Sequence, residues 1–467
     1  GRTSIRMGWG MFYNPVEQLV LEQFSAEPPF GGSSGLSNVL FNTPFLFQNG
    51  TIAPNPFGGI LNPPRGQPVD WSRFRPILLF GQFQPNLRPQ YAAQYNLTIQ
   101  RQITDSLMFQ VGYVGSQGHR LLATHDLNFG NPQTCLDLQA TADFNANPDL
   151  ECGAFFADVA YTIPAGTTIA PQGLTLPYGS TPFIAGGTVL ANDITLVGLR
   201  PFSSPLCEPM TGARCPLDGV PVFSNIFAQD TIAHSSYNSL QALLEKRFSK
   251  GLQFSAAYTW SKSIDNASSF ENILNPFDFE TSRSLSLYHA AHRFVASYFW
   301  ELPVPKYEGF KNKLLNGWAI SGITTFQTGF PIRILSEDDQ ELMLSFDFEL
   351  PGRPDQIGPF TTMDPRSSPG SLFFDPGAFT TAAFGTLGTA PRTICCGPSI
   401  NNWDVSIQKN TELSERVRLE FRAEFFNLWN HTQFFNPDGD ITNGDEFGTV
   451  KRAKDPRQIQ FALKLHF

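Results

Sequence analysis

The stretch that decides the fold is residues 456–467, PRQIQFALKLHF, with which the sequence ends. The side chains alternate along this stretch. One face carries Ile459, Phe461, Leu463, Leu465 and Phe467, and the other carries Gln458, Gln460, Ala462, Lys464 and His466. A repeat of two predicts a strand whose two faces meet unlike environments. About ten residues is also the length of a tilted barrel strand that crosses a bilayer. We therefore predict that this stretch is the closing strand of an outer-membrane β-barrel.

The composition agrees with that fold and argues against several others. Only 16% of the 467 residues are charged, and Gly (39) and Pro (37) are frequent enough for many turns and long loops. No stretch approaches the roughly 18 uncharged apolar residues of a membrane helix. The net charge of −9 argues against nucleic acid, which binds basic surfaces. Because the sequence opens on GRTSIRMGWGMFY without a signal peptide, we expect it to be the C-terminal part of a longer protein.

Alternating segments recur along the chain and give about ten strands in all. The others are residues 2–13, 90–103, 106–115, 236–248, 251–262, 292–302, 317–328, 402–410 and 415–429. Long irregular stretches (14–89, 116–235, 263–289, 329–401 and 430–455) alternate with short or modest connections, and residues 342–350 are expected to add a short strand within one of them. Bacterial outer-membrane barrels have short periplasmic turns and long extracellular loops. This order therefore predicts a membrane barrel with Phe467 at the periplasmic end.

Tryptophans fall near the ends of the predicted strands, on the apolar face in each case. Trp260, Trp403 and Trp429 are expected at the outer rim, and Trp300 and Trp318 at the inner rim. Two aromatic belts at the two interfaces are typical of a barrel in lipid. The alternative is aromatic packing in a protein core.

Residues 415–429 carry a ladder of charges opposite an apolar face. Val417, Leu419, Phe421, Ala423 and Phe425 share one face, and Arg416, Arg418, Glu420, Arg422 and Glu424 share the other. Ionisable groups on a lipid face are strongly unfavourable near the bilayer midplane. We therefore predict that this ladder faces a polar lumen or a domain within it, the alternative being the solvated face of an exposed sheet.

Six cysteines leave the disulfide connectivity open. Cys135 with Cys152 and Cys207 with Cys215 are plausible local disulfides in an oxidising compartment, and the alternative is free thiols. Adjacent Cys395 and Cys396 lack a second Cys/His pair at ligand spacing, so no metal site is predicted there.

Motifs for catalysis are lacking in the sequence. His289 and His292 have no nearby carboxylate to complete a metal site, and the Asp438-Gly439-Asp440 loop lacks the bidentate Glu of a calcium loop. No GxSxG, HExxH or phosphate-binding glycine loop occurs. We predict neither an enzyme nor a cofactor.

Several segments resemble the barrel of Oar-like TonB-dependent receptors. They are YAAQYNLTIQRQ (91–102), SYNSLQALLEKRFSKGLQFSAAYTWSKSIDNA (236–267), HRFVASYFWELP (292–303), NWDVSIQKN (402–410), LEFRAEFFNLWNHTQFFNP (419–437) and PRQIQFALKLHF. The resemblance implies a barrel of about 22 strands, of which this chain holds roughly the last half. It also implies a plug and further N-terminal domains, which this sequence does not include. A further implication is that the barrel-assembly machinery recognises the terminal aromatic strand. Tyr288-His289-Ala290-Ala291 stands where the family often has an acidic residue ahead of HRF.

Two functions fit this architecture. The first is an energised receptor and transporter that binds a ligand at its extracellular loops and passes it through the lumen. It would be driven by a TonB-type complex acting on the missing N-terminal part. The second is a surface adhesin or structural barrel, and a third reading is a soluble secreted β-protein. Phe-rich loops (Phe41 to Phe57 and Phe373 to Phe384) could form a ligand-capturing rim or pack against other loops. The ligand is left open.

Overall fold

Ten long strands form one antiparallel sheet in the computed structural model of the protein. The structure describes residues 1–14, 39–40, 42–47, 49–51, 66, 80–141, 160–175, 182–197, 200–202, 206–207, 223, 226–268, 273–274, 278–305, 307–336, 352–383, 385–414 and 416–467. The predicted short strand at 342–350 lies outside them.

The strands of the sheet stand side by side in the order of the sequence, each antiparallel to the next. They are β1 (Thr3–Asn14), β2 (Gln90–Gln102), β3 (Leu107–Asp126), β4 (Ile226–Ser249), β5 (Leu252–Asp265), β6 (His292–Glu301), β7 (Trp318–Gln327), β8 (Ile400–Ser414), β9 (Val417–Phe426) and β10 (Gln458–His466). The prediction of about ten strands with hairpin order is confirmed. Such a meander needs no crossover, because each strand pairs with its neighbour in sequence.

The remaining elements are short and belong mostly to the long connections. In the described part of the chain the two α-helices are α1 (Pro132–Thr141) and α2 (Gly309–Leu315), and 3₁₀ turns occur at Phe279–Ser282, Pro369–Ser371, Pro376–Ala378 and Ile441–Glu446. Short strands are Val39–Leu40, Thr43–Phe47, Phe80–Phe83, Ala160–Ile163, Leu174–Thr175, Pro182–Ile184, Ile194–Val197, Leu206–Cys207, Ile273–Leu274, Ser284–Leu285, Ile332–Arg333, Asp355–Gln356, Phe379–Thr380 and Thr393–Ile394. Within the described residues, no helix is long and apolar enough to cross a membrane.

Strands β3 and β4 extend well past their predicted ends. The interval 116–235 was predicted to be irregular, yet residues 116–126 and 226–235 are strand. In these extensions both faces are covered, as buried Ala123, Thr124, Ala228 and Gln229 show. The alternation that marks a strand requires unlike faces, so the sequence pattern ends where loops cover both sides.

The register divides the sheet into an apolar face and a polar face. Directly opposed residues share a face, and one such row runs through Leu252, Trp300, Ile320, Ile407, Ala423 and Phe461. Large apolar side chains of this face are widely exposed, among them Met7, Trp9, Trp260, Trp300, Phe461 and Leu463. An exposed apolar surface of this extent marks contact with an apolar phase. At the loop end of this face Trp403 and Trp429, which were both predicted at one rim, pack edge to face with centroids 6.4 Å apart.

The connections at the two ends of the sheet differ as predicted. One end has tight turns at residues 103–106 and 250–251, the short step from Ser414 to Val417, and the 302–317 connection that contains α2. Lys250 and Gly251 both have positive φ (54° and 74°), the requirement of a two-residue type I′ hairpin. The opposite end carries the long connections. Under the rule for outer-membrane barrels, the tight-turn end, which includes Phe467, is the one expected at the periplasm.

Within the described residues the sheet is open. The first strand, β1, pairs with β2 alone, and β10 pairs with β9 alone. Each therefore presents one row of backbone N–H and C=O groups without a strand partner among these residues.

Candidate functional site

The predicted charge ladder lies on the polar face of β9, next to β10. The Arg422 guanidinium donates to Glu420 Oε1 at 2.6 Å and lies 3.5 Å from Glu424 Oε1. His466 Nε2 lies 3.1 Å from Glu420 Oε2 across the β9–β10 pair. Arg418 stands opposite His466 in the register and is exposed. The arrangement is a chain of alternating charges along one strand, in which Arg422 pairs with both carboxylates and Arg418 is open to a partner.

Arg416 is the member of the ladder that the strand does not include. Strand β9 begins at Val417, so Arg416 lies exposed in the turn after β8. The predicted alternation included one residue too many at its start. A turn residue next to a strand can continue the alternation of polar and apolar residues in the sequence without making the hydrogen bonds of the strand.

Six neighbouring strands, β4 to β9, line a cavity of about 630 Å³. On the polar face its lining includes three large apolar side chains, Phe299, Ile323 and Phe426. The polar side chains of that face are Glu245, Gln253, Ser255, Ser297, Ser321, Asp404, Ser406 and Glu424. A cavity shared by six strands in a row requires the sheet to curl around this face. The polar side is thus concave, and the apolar side with its tryptophans is convex.

A second cavity of about 480 Å³ lies nearer the loop end of the same face. It is lined by Arg293 and Lys454, by Asp404 and Asp455, and by neutral hydrogen-bonding groups including Asn402. Asp404 is already engaged, since it accepts from the Asn427 backbone N–H at 2.9 Å and from Asn402 Nδ2 at 3.0 Å. The cavity therefore offers mixed charges and amides, a lining suited to polar solutes.

The loops above β7 to β10 form a small core of their own. Its buried members are Ile332, Ile334, Phe373, Phe374, Ala378, Phe379, Ala390 and Phe447. Phe374 packs edge to face against Phe379 and Phe447 with centroid distances of 5.9 and 5.1 Å. Packing between loops, the alternative to a capturing rim, therefore accounts for Phe373, Phe374 and Phe379. Phe384, Phe41 and Phe57 lie outside the described residues.

Arg392 fastens this loop core to the end of β5. Its guanidinium forms an ion pair with Asp265 and donates to Ser282 O at 2.9 Å and to Ser268 Oγ at 3.2 Å. Both charged side chains are nearly buried (13% and 8% exposed). A second buried pair, Arg200 with Asp126, joins another loop to the end of β3 at 3.4 Å. Sequence reasoning missed both pairs because their partners are more than seventy residues apart.

His289 is a buried loop histidine between β5 and β6. Its Nδ1 lies 3.2 Å from the backbone N of Ser263, which donates to it, so the neutral imidazole is the form that fits. Burial, and then the nearby Lys262 ammonium, lower the pKa of His289 below its ordinary value. Among the described residues, His289 and His292 included, no group of three or more His, Cys, Asp or Glu is arranged so that it could hold a metal ion.

Acidification is expected to loosen the 278–291 loop through His289. The unfolded imidazole binds a proton at about pH 6.5 and the folded one only at lower pH. The stabilising contribution is therefore complete above pH 6.5 and declines as the pH falls from there toward the folded pKa. Hydrogen exchange of this loop between pH 7.5 and about 5 measures the effect. His289→Asn keeps an acceptor for Ser263 but cannot titrate, so an equal acid response in that variant would contradict the assignment.

The cysteines and the acidic loop have structural roles here. Cys395 and Cys396 are joined as a disulfide, and Cys135, in α1, is also disulfide-bonded. Its predicted partner Cys152 lies outside the described residues, as does Cys215. In the acidic loop, Lys451 Nζ lies 3.3 Å from Asp438 Oδ2 and also binds Glu446. An ammonium thus neutralises carboxylates that resemble a calcium loop in sequence.

Comparison with known proteins gives a family and a set of remote structural similarities. Residues 1–460 match the family model described as outer membrane beta barrel domain. The chain is similar to the outer membrane transporter YddB from Escherichia coli (8% identity, TM-score 0.35, 83% of this chain and 34% of that one). It is also similar to the siderophore receptor PirA from Acinetobacter baumannii (9% identity, TM-score 0.34, 82% of this chain and 33% of that one). A third similar structure is the ferripyoverdine receptor of the outer membrane of Pseudomonas aeruginosa (10% identity, TM-score 0.33, 81% of this chain and 27% of that one). The chain spans about a third of the length of these structures. No curated protein matches it.

Proposed function

The chain belongs to the outer membrane beta barrel domain family, and from that membership we propose that it is the barrel part of a TonB-dependent receptor and transporter. Membership places it in the outer membrane of a Gram-negative bacterium. In the proposed function a ligand binds at the extracellular loops and passes along the polar face. The resemblance of the strand segments to Oar-like receptors supports the choice of this transporter class.

The polar face is the observation that carries the proposal. A barrel that served only to display loops could have its interior completely packed with side chains. The polar face described here instead combines a charge ladder with two cavities of about 630 and 480 Å³. Side chains such as Glu245, Arg293 and Glu424 stand where a solute would meet them. We propose that Arg418, Glu420, Arg422 and Glu424 face the lumen and act as contacts rather than catalysts, with Arg416 at the periplasmic rim.

The two open edges support the proposal that this chain is part of a larger barrel. Unpaired backbone groups are not tolerated in the hydrocarbon region, so β1 and β10 require further strands. We propose that an N-terminal part supplies them, to about 22 strands in all. In this proposal a plug within the lumen couples to a TonB-type energising complex. The barrel-assembly machinery recognises the strand that ends at Phe467.

Energised uptake is the property to test. Cells that carry the complete gene or lack it, each with and without a working energising complex, are grown in the same complex medium. Mass spectrometry of the medium then follows which solutes disappear. The proposal expects at least one solute whose depletion requires both the receptor and the energising complex.

Two results would argue otherwise. Depletion that needs the receptor but not the energising complex would indicate a passive pore. An unchanged medium, together with reduced attachment of the receptor-deficient cells to surfaces, would favour the adhesin. The upstream coding sequence provides an independent test, because a transporter of this class requires a plug and a TonB-contacting segment.

A further inference from the structure

The connection between β6 and β7 contains a short helix with an exposed apolar side. In α2 (Gly309–Leu315) Phe310 is 79% exposed, Leu314 55% and Leu315 37%. Phe310 and Leu314 are four residues apart and so lie on one face of the helix. Lys311 and Lys313, both exposed, flank that face on its two sides. The result is an apolar strip bordered by ammonium groups.

Side chains from the apolar face of the sheet hold this helix in place. Trp318 and Lys409 oppose each other in the β7–β8 register, and Lys409 in turn opposes Phe421. Trp318 Nε1 donates to Leu314 O at 3.1 Å. Lys409 Nζ donates to Lys313 O at 2.8 Å and also to Asn316 O. The C-terminal carbonyls of α2 are thus bound by two residues of the apolar, convex face.

This attachment explains how a lysine is accommodated on that face. Lys409 is only 8% exposed, and its ammonium lies 5.7 Å from the centre of the Trp318 ring. Cations are favourable near the C-terminus of a helix, and a ring face adds attraction. The last helical turn therefore lies against the periplasmic end of the face that contacts lipid, beside Trp300 and Leu413, which are also exposed.

We propose that α2 is an interfacial lipid-binding helix, which inserts Phe310 and Leu314 into the periplasmic leaflet of the outer membrane. Its apolar strip continues the lipid-facing surface of β6 to β8 beyond the ends of the strands. Positive charge lies at both edges of this strip, where the phosphates of the same lipids would be. The Lys311 ammonium lies 4.4 Å from the centre of the Tyr307 ring, and Lys313 Nζ donates to Leu413 O at 3.3 Å. The 302–317 connection has three lysines and one carboxylate, Glu308, so its charge is complementary to a phospholipid surface.

A spin label at position 310 tests this proposal in the complete protein. Among the described residues no cysteine is a free thiol, so Phe310→Cys introduces a single reactive site among them. The labelled protein is placed in bilayers of phosphatidylethanolamine and phosphatidylglycerol. Collisions of the label with oxygen, which concentrates in lipid, are compared with collisions with a water-soluble nickel complex. The label is expected about 5–10 Å below the phosphates, the depth typical of interfacial helices.

A matched label distinguishes the helix face from the connection as a whole. Glu308 is the extended N-cap residue that precedes the helix and lies outside its apolar strip, so a label at Glu308→Cys is expected to report water. Leu314→Cys repeats the first measurement if the label at 310 impairs folding. Frequent collisions with the nickel complex at 310 and 314 would overturn the proposal. So would protection from both reagents, since that result would indicate a covering protein surface and not lipid.

Discussion

Ile407→Arg is expected to destabilise the protein in the membrane by about 2–4 kcal/mol, the range for a cationic side chain at the bilayer midplane. Ile407 lies at the centre of β8, between Ile320 and Ala423 on the apolar face. An arginine there would face lipid without a counter-ion. Folded protein in the outer membrane should fall accordingly, as measured by heat-modifiable migration and by the denaturant midpoint in bilayers.

The neighbouring substitution Ser406→Arg provides the matched control. Ser406 is at the same depth on the other face, where it lies opposite Glu424 and Ser321 and lines the larger cavity. An arginine at this position meets a carboxylate and a concave polar surface, so we expect a change of no more than about 1 kcal/mol. Equal losses for the two variants would show that the register does not separate the faces.

Arg392→Met is expected to release the loop core from the end of β5. The variant leaves the Asp265 carboxylate nearly buried, although the Ser268 hydroxyl continues to donate to it. We therefore expect a local cost of about 3 kcal/mol, at the lower end for breaking a buried ion pair. Protease cleavage within residues 352–400 should become faster by roughly a hundredfold, the population change that corresponds to this free energy.

Arg366→Met is the control for the loss of one arginine from the same loop. Arg366 binds Asp364 at 3.0 Å, but both side chains are about half exposed. An exposed pair contributes about 0–1 kcal/mol, so cleavage should change by less than about fivefold. If Arg366→Met and Arg392→Met accelerated cleavage equally, the anchoring role of Arg392 would be untenable.

The membrane part of the fold is predictable because one physical contrast determines it. Lipid on one side and polar groups on the other impose a period of two, which Leu419, Phe421 and Ala423 show as clearly as the last strand. The order of short and long connections then fixes the direction of every strand. For this reason the ten strands, their hairpin order and the end at which Phe467 lies follow from the sequence.

Predictability is lost where that contrast ends. The extensions of β3 and β4 are covered on both faces, so Ala123 and Gln229 give no alternation. Buried pairs such as Arg392 with Asp265 depend on tertiary contacts between distant segments, which no local pattern encodes. The helix α2 has only seven residues, too few for a helical period to stand out. For Phe374 and Phe379 the sequence left a ligand rim and packing between loops as alternatives, and only the structure shows that they form a core.

The division of the sheet into a lipid face and a polar face is best tested by a fluorescence scan of β9. Single cysteines from Arg418 to Phe425 are labelled with an environment-sensitive dye in the complete protein embedded in bilayers. We expect blue-shifted emission, quenched by brominated lipid, at Leu419, Phe421, Ala423 and Phe425. Emission at Arg418, Glu420, Arg422 and Glu424 should instead be red-shifted and insensitive to the brominated lipid. Emission without a period of two, or with the opposite phase, would contradict the account.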